Sequence, residues 1–147
     1  MLYLCDTCIL IDYLRGKEEA RERLFTDRTK GLGMSAITFM ELMVGARNKN
    51  EVIAIKKAFD DFEIIELTEA ISVKARNLIE KFTKSHGLLI PDALIATTAL
   101  EFEIPISTLN ISDFKFIPNL ALIYGIKISD IENSSASKNE RFKYHCR

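Results

Sequence analysis

The 147-residue chain is poor in the features that mark several protein classes. It has three cysteines, Cys5, Cys8 and Cys146, an odd number that suits a reducing compartment better than a disulfide framework. Six glycines and three prolines exclude a collagen-like or low-complexity chain. No apolar run approaches the roughly 20 residues of a membrane span. The residues after Met1 enter a strand-like segment with no basic leader, so a cytoplasmic protein without a membrane segment is expected. Excess positive charge is also missing, the formal net charge being -1. This gives no support to a strongly basic nucleic-acid binder, although carboxylates clustered at a metal site lower the net charge while basic residues lie elsewhere.

What is present is 48% hydrophobic and 28% charged residues, enough for one globular domain with its own core. Residues 1–131 are expected to form that domain. Residues 132–147, ending in NSSASKNERFKYHCR, show no hydrophobic period and are expected to be a disordered tail.

Hydrophobic period and punctuation predict strands at Leu2–Cys5, Met34–Ser35, Phe62–Leu67, Ile104–Ser107 and Leu120–Tyr124. Helices are predicted at Cys8–Arg15, Glu18–Phe25, Phe39–Ala46, Asn50–Phe59, Thr68–His86 and Pro91–Phe102. Gly31 and Gly33 punctuate ahead of the second strand. Thr38 and Glu41 have capping-box spacing. Thr68 caps the longest helix, and Gly87 stops it where a left-handed residue is wanted. Strands separated by helices argue for an α/β sandwich around a mainly parallel five-stranded sheet.

The run LYLCDTCILID places Asp6 between two apolar stretches, where an unpaired carboxylate costs several kcal/mol. In a parallel sheet, the carboxyl ends of the strands collect functional groups. Asp6 ends the first strand, Glu41 lies in the first turn of the helix after the second, Asp92 starts the helix at Pro91, and Asn110 and Asp113 follow the fourth strand. All of them therefore gather at one edge. Like charges about 4 Å apart repel by about 4 kcal/mol per pair at an effective dielectric near 20, a cost that a cation removes. Oxygen donors with no His or Cys pair select Mg²⁺ or Mn²⁺ over Zn²⁺.

Each residue taken singly has an ordinary explanation. Glu41 or Asp92 in a first turn complements the helix dipole, and Asn110 and Asp113 suit turns. Asp12 is expected to face solvent, and Asp60 and Asp61 to form a solvated helix end. The joint placement is what points to a site.

The stretches DTCILIDYLRG (Asp6 to Gly16), SAITFMELMVGA (Ser35 to Ala46), PDALIATTALEFEIPIST (Pro91 to Thr108) and TLNISDF (Thr108 to Phe114) occur in one order that resembles the PIN-domain ribonucleases, specifically the VapC-type toxins of toxin-antitoxin pairs. The resemblance implies a PIN-like three-layer sandwich, Mg²⁺ or Mn²⁺ dependence, and endonucleolytic cleavage of structured RNA of the tRNA or rRNA class. It also implies a homodimer and a VapB-type antitoxin whose tail lies over the acidic site. Asp6, Glu41 and Asp92 match the three core metal-binding acids, and either Asn110 or Asp113 falls at the fourth position. Thr7 matches the small polar residue after the first acid. Cys8 departs from the pattern, replacing the family's usual Ser or Asn with a weakly polar thiol.

A water activated by the metal would leave a 5′-phosphate and a 3′-hydroxyl. Arg15, Lys17, Arg47 and Lys49 follow the two helices nearest the site and are candidates for guiding RNA. Phe39, Met40 and Met43, with the helix at Asn50–Phe59, supply apolar surface for core packing or for a partner.

Two other classes compete. Cys5 and Cys8 form C-x-x-C at a strand-to-helix junction, the arrangement of a thiol-redox protein. The same fold could also serve as a catalytically silent binding module. Zinc has weaker grounds, since the remaining soft ligands, His86, His145 and Cys146, lack the spacing of a second pair.

Overall fold

Strands that are apolar on both faces need cover on both faces, and the helices that separate them in sequence provide it. A computed structural model describes residues 1–123. Its strands β1 (Tyr3–Cys5), β2 (Leu32–Ser35), β3 (Glu63–Ile65), β4 (Ile106–Ser107) and β5 (Leu122–Ile123) form one sheet in the order β3-β2-β1-β4-β5. Every pairing is parallel. Helices α1 (Thr7–Leu14), α2 (Glu18–Asp27), α3 (Ala36–Gly45), α4 (Lys49–Ala58), α5 (Glu69–His86) and α6 (Ile90–Phe102) complete the sandwich. Tyr124, the boundary at residue 131, the tail, His145 and Cys146 lie outside the described residues.

Successive side chains of a strand point to opposite faces, so each strand feeds two cores. Leu4, Ile106 and Leu122 pack with Ala75 and Phe82 of α5 and Ala93, Ala96 and Ala99 of α6. On the other face, Tyr3, Cys5 and Leu32 pack with Ile9 and Leu10 of α1, Leu24 of α2 and Leu42 of α3. Cys5 is therefore a core residue, fully buried. Among the described residues, no helix is long and apolar enough to cross a membrane.

Local chemistry sets the helix ends. The Thr68 hydroxyl accepts from the Ile71 N–H at 3.2 Å, and Gly87 closes α5 in the left-handed region at φ 68°, where a Cβ is disfavoured.

Three expectations need correction. Gly33 does not interrupt the chain before β2 but lies inside it, paired with Glu63. A Cβ there would collide with the Met1 thioether and lie 3.1 Å from the Glu63 carbonyl oxygen, so glycine admits a close approach rather than a turn. Helix α3 starts at Ala36, ahead of Thr38, because the Ser35 hydroxyl caps it by accepting from the Ile37 N–H at 3.2 Å. Glu41 consequently sits in the second turn, and no acid occupies the first. Asp12 does not face solvent: it is buried at the end of α1, and Lys17 folds back to it at 3.2 Å. Asp60 and Asp61 are exposed as expected, with Asp61 accepting from the Arg28 Nε at 2.8 Å.

Candidate active site

Strand β1 is central, with β2 on one side and β4 on the other. The connections leaving these neighbours open a crevice beyond the carboxyl ends of the strands, the usual place for a site in an open parallel sheet. Asp6 follows β1 directly, Ser35 leads from β2 into α3, and Thr108 to Asp113 follow β4.

Asp6 is buried, and both of its carboxylate oxygens are held. It is the N-cap of α1, its Oδ1 accepting from the Thr7 N–H at 2.8 Å. Its Oδ2 accepts from the Thr108 hydroxyl at 2.9 Å and from the Cys8 thiol at 3.1 Å. Capping thus accounts for one oxygen, and two side chains from separate segments fix the other. The thiol at position 8 makes the polar contact that its departure from the family pattern put in question.

Glu41 is half-buried and is reached from α1. The Thr7 hydroxyl donates to Glu41 Oε1 at 2.9 Å and lies 3.2 Å from the buried Thr38 hydroxyl. The side chain of Thr38 therefore serves the interior of the site instead of capping α3.

Asp92 lies in the first turn of α6, where the helix dipole favours its ionised form. Its carboxyl is nevertheless pushed up to about 7, first by burial and then by the charges of Asp6, Asp113 and Glu41. The part that these three acids add after burial places Asp92 in one electrostatic cluster with them.

A 3₁₀ turn at Ile111–Asp113 carries the last acid. Asn110 Nδ2 donates to Asp113 Oδ2 at 2.6 Å, and the Ser112 hydroxyl donates to Asn110 Oδ1 at 3.0 Å. The Asn110 N–H in turn reaches Thr108 Oγ1 at 3.0 Å. Asn110 and Asp113 are hence bonded to one another, and the loop is tied back to the residue that holds Asp6.

The structure brings Asp6, Glu41, Asp92 and Asp113 within electrostatic reach. Among the described residues, no three His, Cys, Asp or Glu side chains already form a closed metal-holding group. The donor set is nonetheless made of carboxylate oxygens, the chemistry that hard divalent cations take, and the raised Asp92 marks a repulsion that a cation offsets. The residues fit such an ion.

Cys5 and Cys8 are free thiols, both buried. Burial pushes the Cys5 thiol far above its ordinary range, and burial followed by the neighbouring Asp6 charge pushes Cys8 up to about 12. Thiols kept protonated in this way are poor nucleophiles.

A cleft of about 610 Å³ opens beside Glu41. Ile11, Leu14, Leu42 and Ile55 make it apolar, and Arg15 and Arg47 stand on its rim. Arg47 is ion-paired with Glu51 at 2.7 Å. Lys17 turns away to Asp12, and Lys49 is exposed at the start of α4.

In the sequence, Thr108 had no role of its own and Thr38 read only as a helix cap. Both are fully buried hydroxyls. Thr108 was signalled only by its place after a strand and Thr38 only by its spacing to Glu41, and their contacts with Asp6 and Thr7 come from segments distant in sequence.

The sequence matches the PIN domain family over residues 3–116. Ribonuclease VapC10 of Mycobacterium tuberculosis is 31% identical over 121 residues, covering 81% of this chain and 90% of that protein. Ribonuclease VapC19 of the same organism is 30% identical over 120 residues, covering 80% and 95%. Among solved structures, a toxin-antitoxin complex from Klebsiella pneumoniae superposes with a TM-score of 0.67 at 32% identity, covering 81% of this chain and 95% of that one. VapBC2 from Rickettsia felis, bound to a DNA fragment from its promoter, gives a TM-score of 0.72 at 25% identity, covering 86% and 100%. With the parallel sheet, the acids gathered at its carboxyl edge and this likeness along most of its length, the chain belongs to the PIN-domain family and, within it, to the VapC ribonucleases.

Proposed function

We propose that this chain is the toxin of a toxin-antitoxin pair, an Mg²⁺- or Mn²⁺-dependent endoribonuclease that hydrolyses structured RNA of the tRNA or rRNA class in the cytoplasm. The observation that carries the reading is the convergence of four carboxylates from four segments, with Asp6, Asp113 and Glu41 adding to the effect of burial on Asp92. Asp6, Glu41, Asp92 and Asp113 would hold the cation. When bound, such an ion supplies a nucleophilic water at neutral pH and offsets charge on the phosphate.

The chain's own residues set the geometry. Thr108, Cys8 and the Thr7 N–H fix the Asp6 carboxylate, and the Thr7 hydroxyl orients Glu41. Because Asn110 donates to Asp113, we assign Asp113 as the fourth ligand and Asn110 as the residue that orients it. Arg15, which lines the cleft together with Glu41, is the better candidate for holding RNA phosphates, Lys17 and Arg47 being engaged with Asp12 and Glu51.

The relatives named above include complexes with antitoxins, which supports a VapB-type partner for this chain. The apolar cleft beside Glu41 suits an antitoxin segment that covers the site. Phe39 and Met43 pack against the core, whereas Met40 and Val44 are 46% and 86% exposed and leave apolar surface for the antitoxin or for a homodimer.

The test is calorimetric titration of Mn²⁺ into the wild-type chain and into Asp6→Asn, with cleavage of total transfer RNA followed on the same samples. Uptake and cleavage that both vanish in the variant support the reading. A wild-type chain that takes up no Mn²⁺ and cuts no RNA sinks it in favour of a silent binding module.

A further inference from the structure

We propose that Cys8 is a positioning residue that locks Asp6 to the loop carrying Asn110 and Asp113, an inference that rests on the nuclease reading above. Its sulfur works in two directions at once. The thiol donates to Asp6 Oδ2 at 3.1 Å, and Sγ accepts the Leu109 N–H at 3.3 Å. It also lies 3.6 Å from the Thr108 hydroxyl.

Thr108 makes a matching pair of bonds one residue earlier in the loop. Its hydroxyl donates to the same Asp6 oxygen at 2.9 Å and accepts the Asn110 N–H at 3.0 Å. Two consecutive backbone donors, those of Leu109 and Asn110, are therefore each joined to Asp6 Oδ2 through one side chain. A single link leaves the loop free to pivot about it, and two links do not. The loop so fixed is the one in which Asn110 orients Asp113. Cys8 thereby couples the first acid of the site to the last across a span of the chain in which Thr108 and Asp6 are 102 residues apart.

Cys8 belongs to none of the ligand candidates, and its job is hydrogen bonding rather than bulk. A hydroxyl also donates and accepts, more strongly than a thiol, and a methyl does neither. Cys8→Ser should therefore rescue what Cys8→Ala loses.

Two readouts on the metal-free and Mn²⁺-titrated protein test this. In Cys8→Ala, the Leu109 amide should lose hydrogen-exchange protection while the Leu4 and Ile106 amides of the central strands keep theirs. Mn²⁺ affinity in calorimetry should fall about fivefold. Cys8→Ser should keep Leu109 protected and bind Mn²⁺ within about threefold of wild type. Unchanged Leu109 protection and unchanged Mn²⁺ affinity in Cys8→Ala overturn the proposal. A Cys8→Ser variant as impaired as Cys8→Ala also overturns it, since shape and not hydrogen bonding would then be the cause. A wild type that binds no Mn²⁺ refutes the nuclease reading instead, and the exchange of Leu109 still decides whether the lock exists.

Discussion

The hydroxyl of Thr7 donates to Glu41 Oε1 at 2.9 Å, joining the first residue of α1 to the second turn of α3. A hydrogen bond to a charged acceptor contributes about 1.5–3 kcal/mol. Thr7→Val keeps the side-chain shape and removes the donor. We expect its RNA cleavage to fall by about 10- to 100-fold, with Thr7→Ser remaining close to wild type. Single-turnover cleavage at saturating Mn²⁺ checks this, and equal rates for Thr7→Val and wild type would show that Glu41 needs no such support.

The elevation of Asp92 has a thermodynamic sign. Its carboxyl rises from an ordinary 3.8 to about 7 in the folded protein, so the native state binds this proton more tightly than the unfolded state does. The resulting stabilisation is complete below about pH 4 and is lost as pH rises through 7. In metal-free protein, the contribution of Asp92 should make the chemical-denaturation midpoint fall between pH 5.5 and pH 8. Asp92→Asn should flatten that slope, and Mn²⁺ should raise the wild-type midpoint most at the alkaline end. Denaturation series at several pH values with and without Mn²⁺ read all three effects. A wild type and Asp92→Asn with the same slope would show that Asp92 is not raised in the folded protein.

Burial of Cys5 and Cys8, with both thiols held protonated, predicts inertness. Iodoacetamide at pH 8 should leave both unmodified in the native protein and alkylate both in denaturant, as peptide mass spectrometry would reveal. Rapid native labelling of either residue would revive thiol chemistry as a role for the C-x-x-C.

Arg28 ties the end of α2 to the α4 side of the fold. Its guanidinium donates to Asp61 at 2.8 Å through Nε, to the Ala58 carbonyl at 2.8 Å and to the Tyr13 hydroxyl at 3.3 Å, and it lies over the Phe62 ring. A lysine ammonium cannot reproduce this fork. Arg28→Lys should therefore destabilise the fold by about 1–2 kcal/mol, measured by thermal denaturation, without changing Mn²⁺ affinity. A shift in metal affinity would link this distant bridge to the site.

Much of the architecture could be read from the chain because the signals were local. Thr68 and Gly87 delimit α5 by chemistry contained in a few residues, and the alternation of apolar strands with helices announced the parallel sheet. What escaped depended on neighbours distant in sequence. Thr38 and Glu41 have the spacing of a capping box, but Thr38 meets Thr7 from another helix, and Ser35 takes the cap. Asp12 looked like a surface residue of α1 until Lys17 turned back to cover it. Gly33 looked like a break because nothing in its own surroundings announces Met1 and Glu63. Asp6 and Asp92 could be picked out by their places at element ends, whereas Glu41 lies a turn further into α3 than its spacing to Thr38 suggested. Of the groups that hold them, Thr7 and Cys8 were marked by the family likeness, whereas Thr108 and Thr38 were not, because their partners are distant in sequence.

The central place of β1 also sets an order of events. Asp6 precedes Thr108, which secures it, by 102 residues, and Thr108 directly follows β4, a strand that pairs with β1 although six α-helices lie between the two in sequence. The Thr108 bond to Asp6 therefore forms only once β4 has closed against β1. A chain cut short ahead of β4 thus lacks both the hydroxyl that holds the first acid and Asp113, the last of the four.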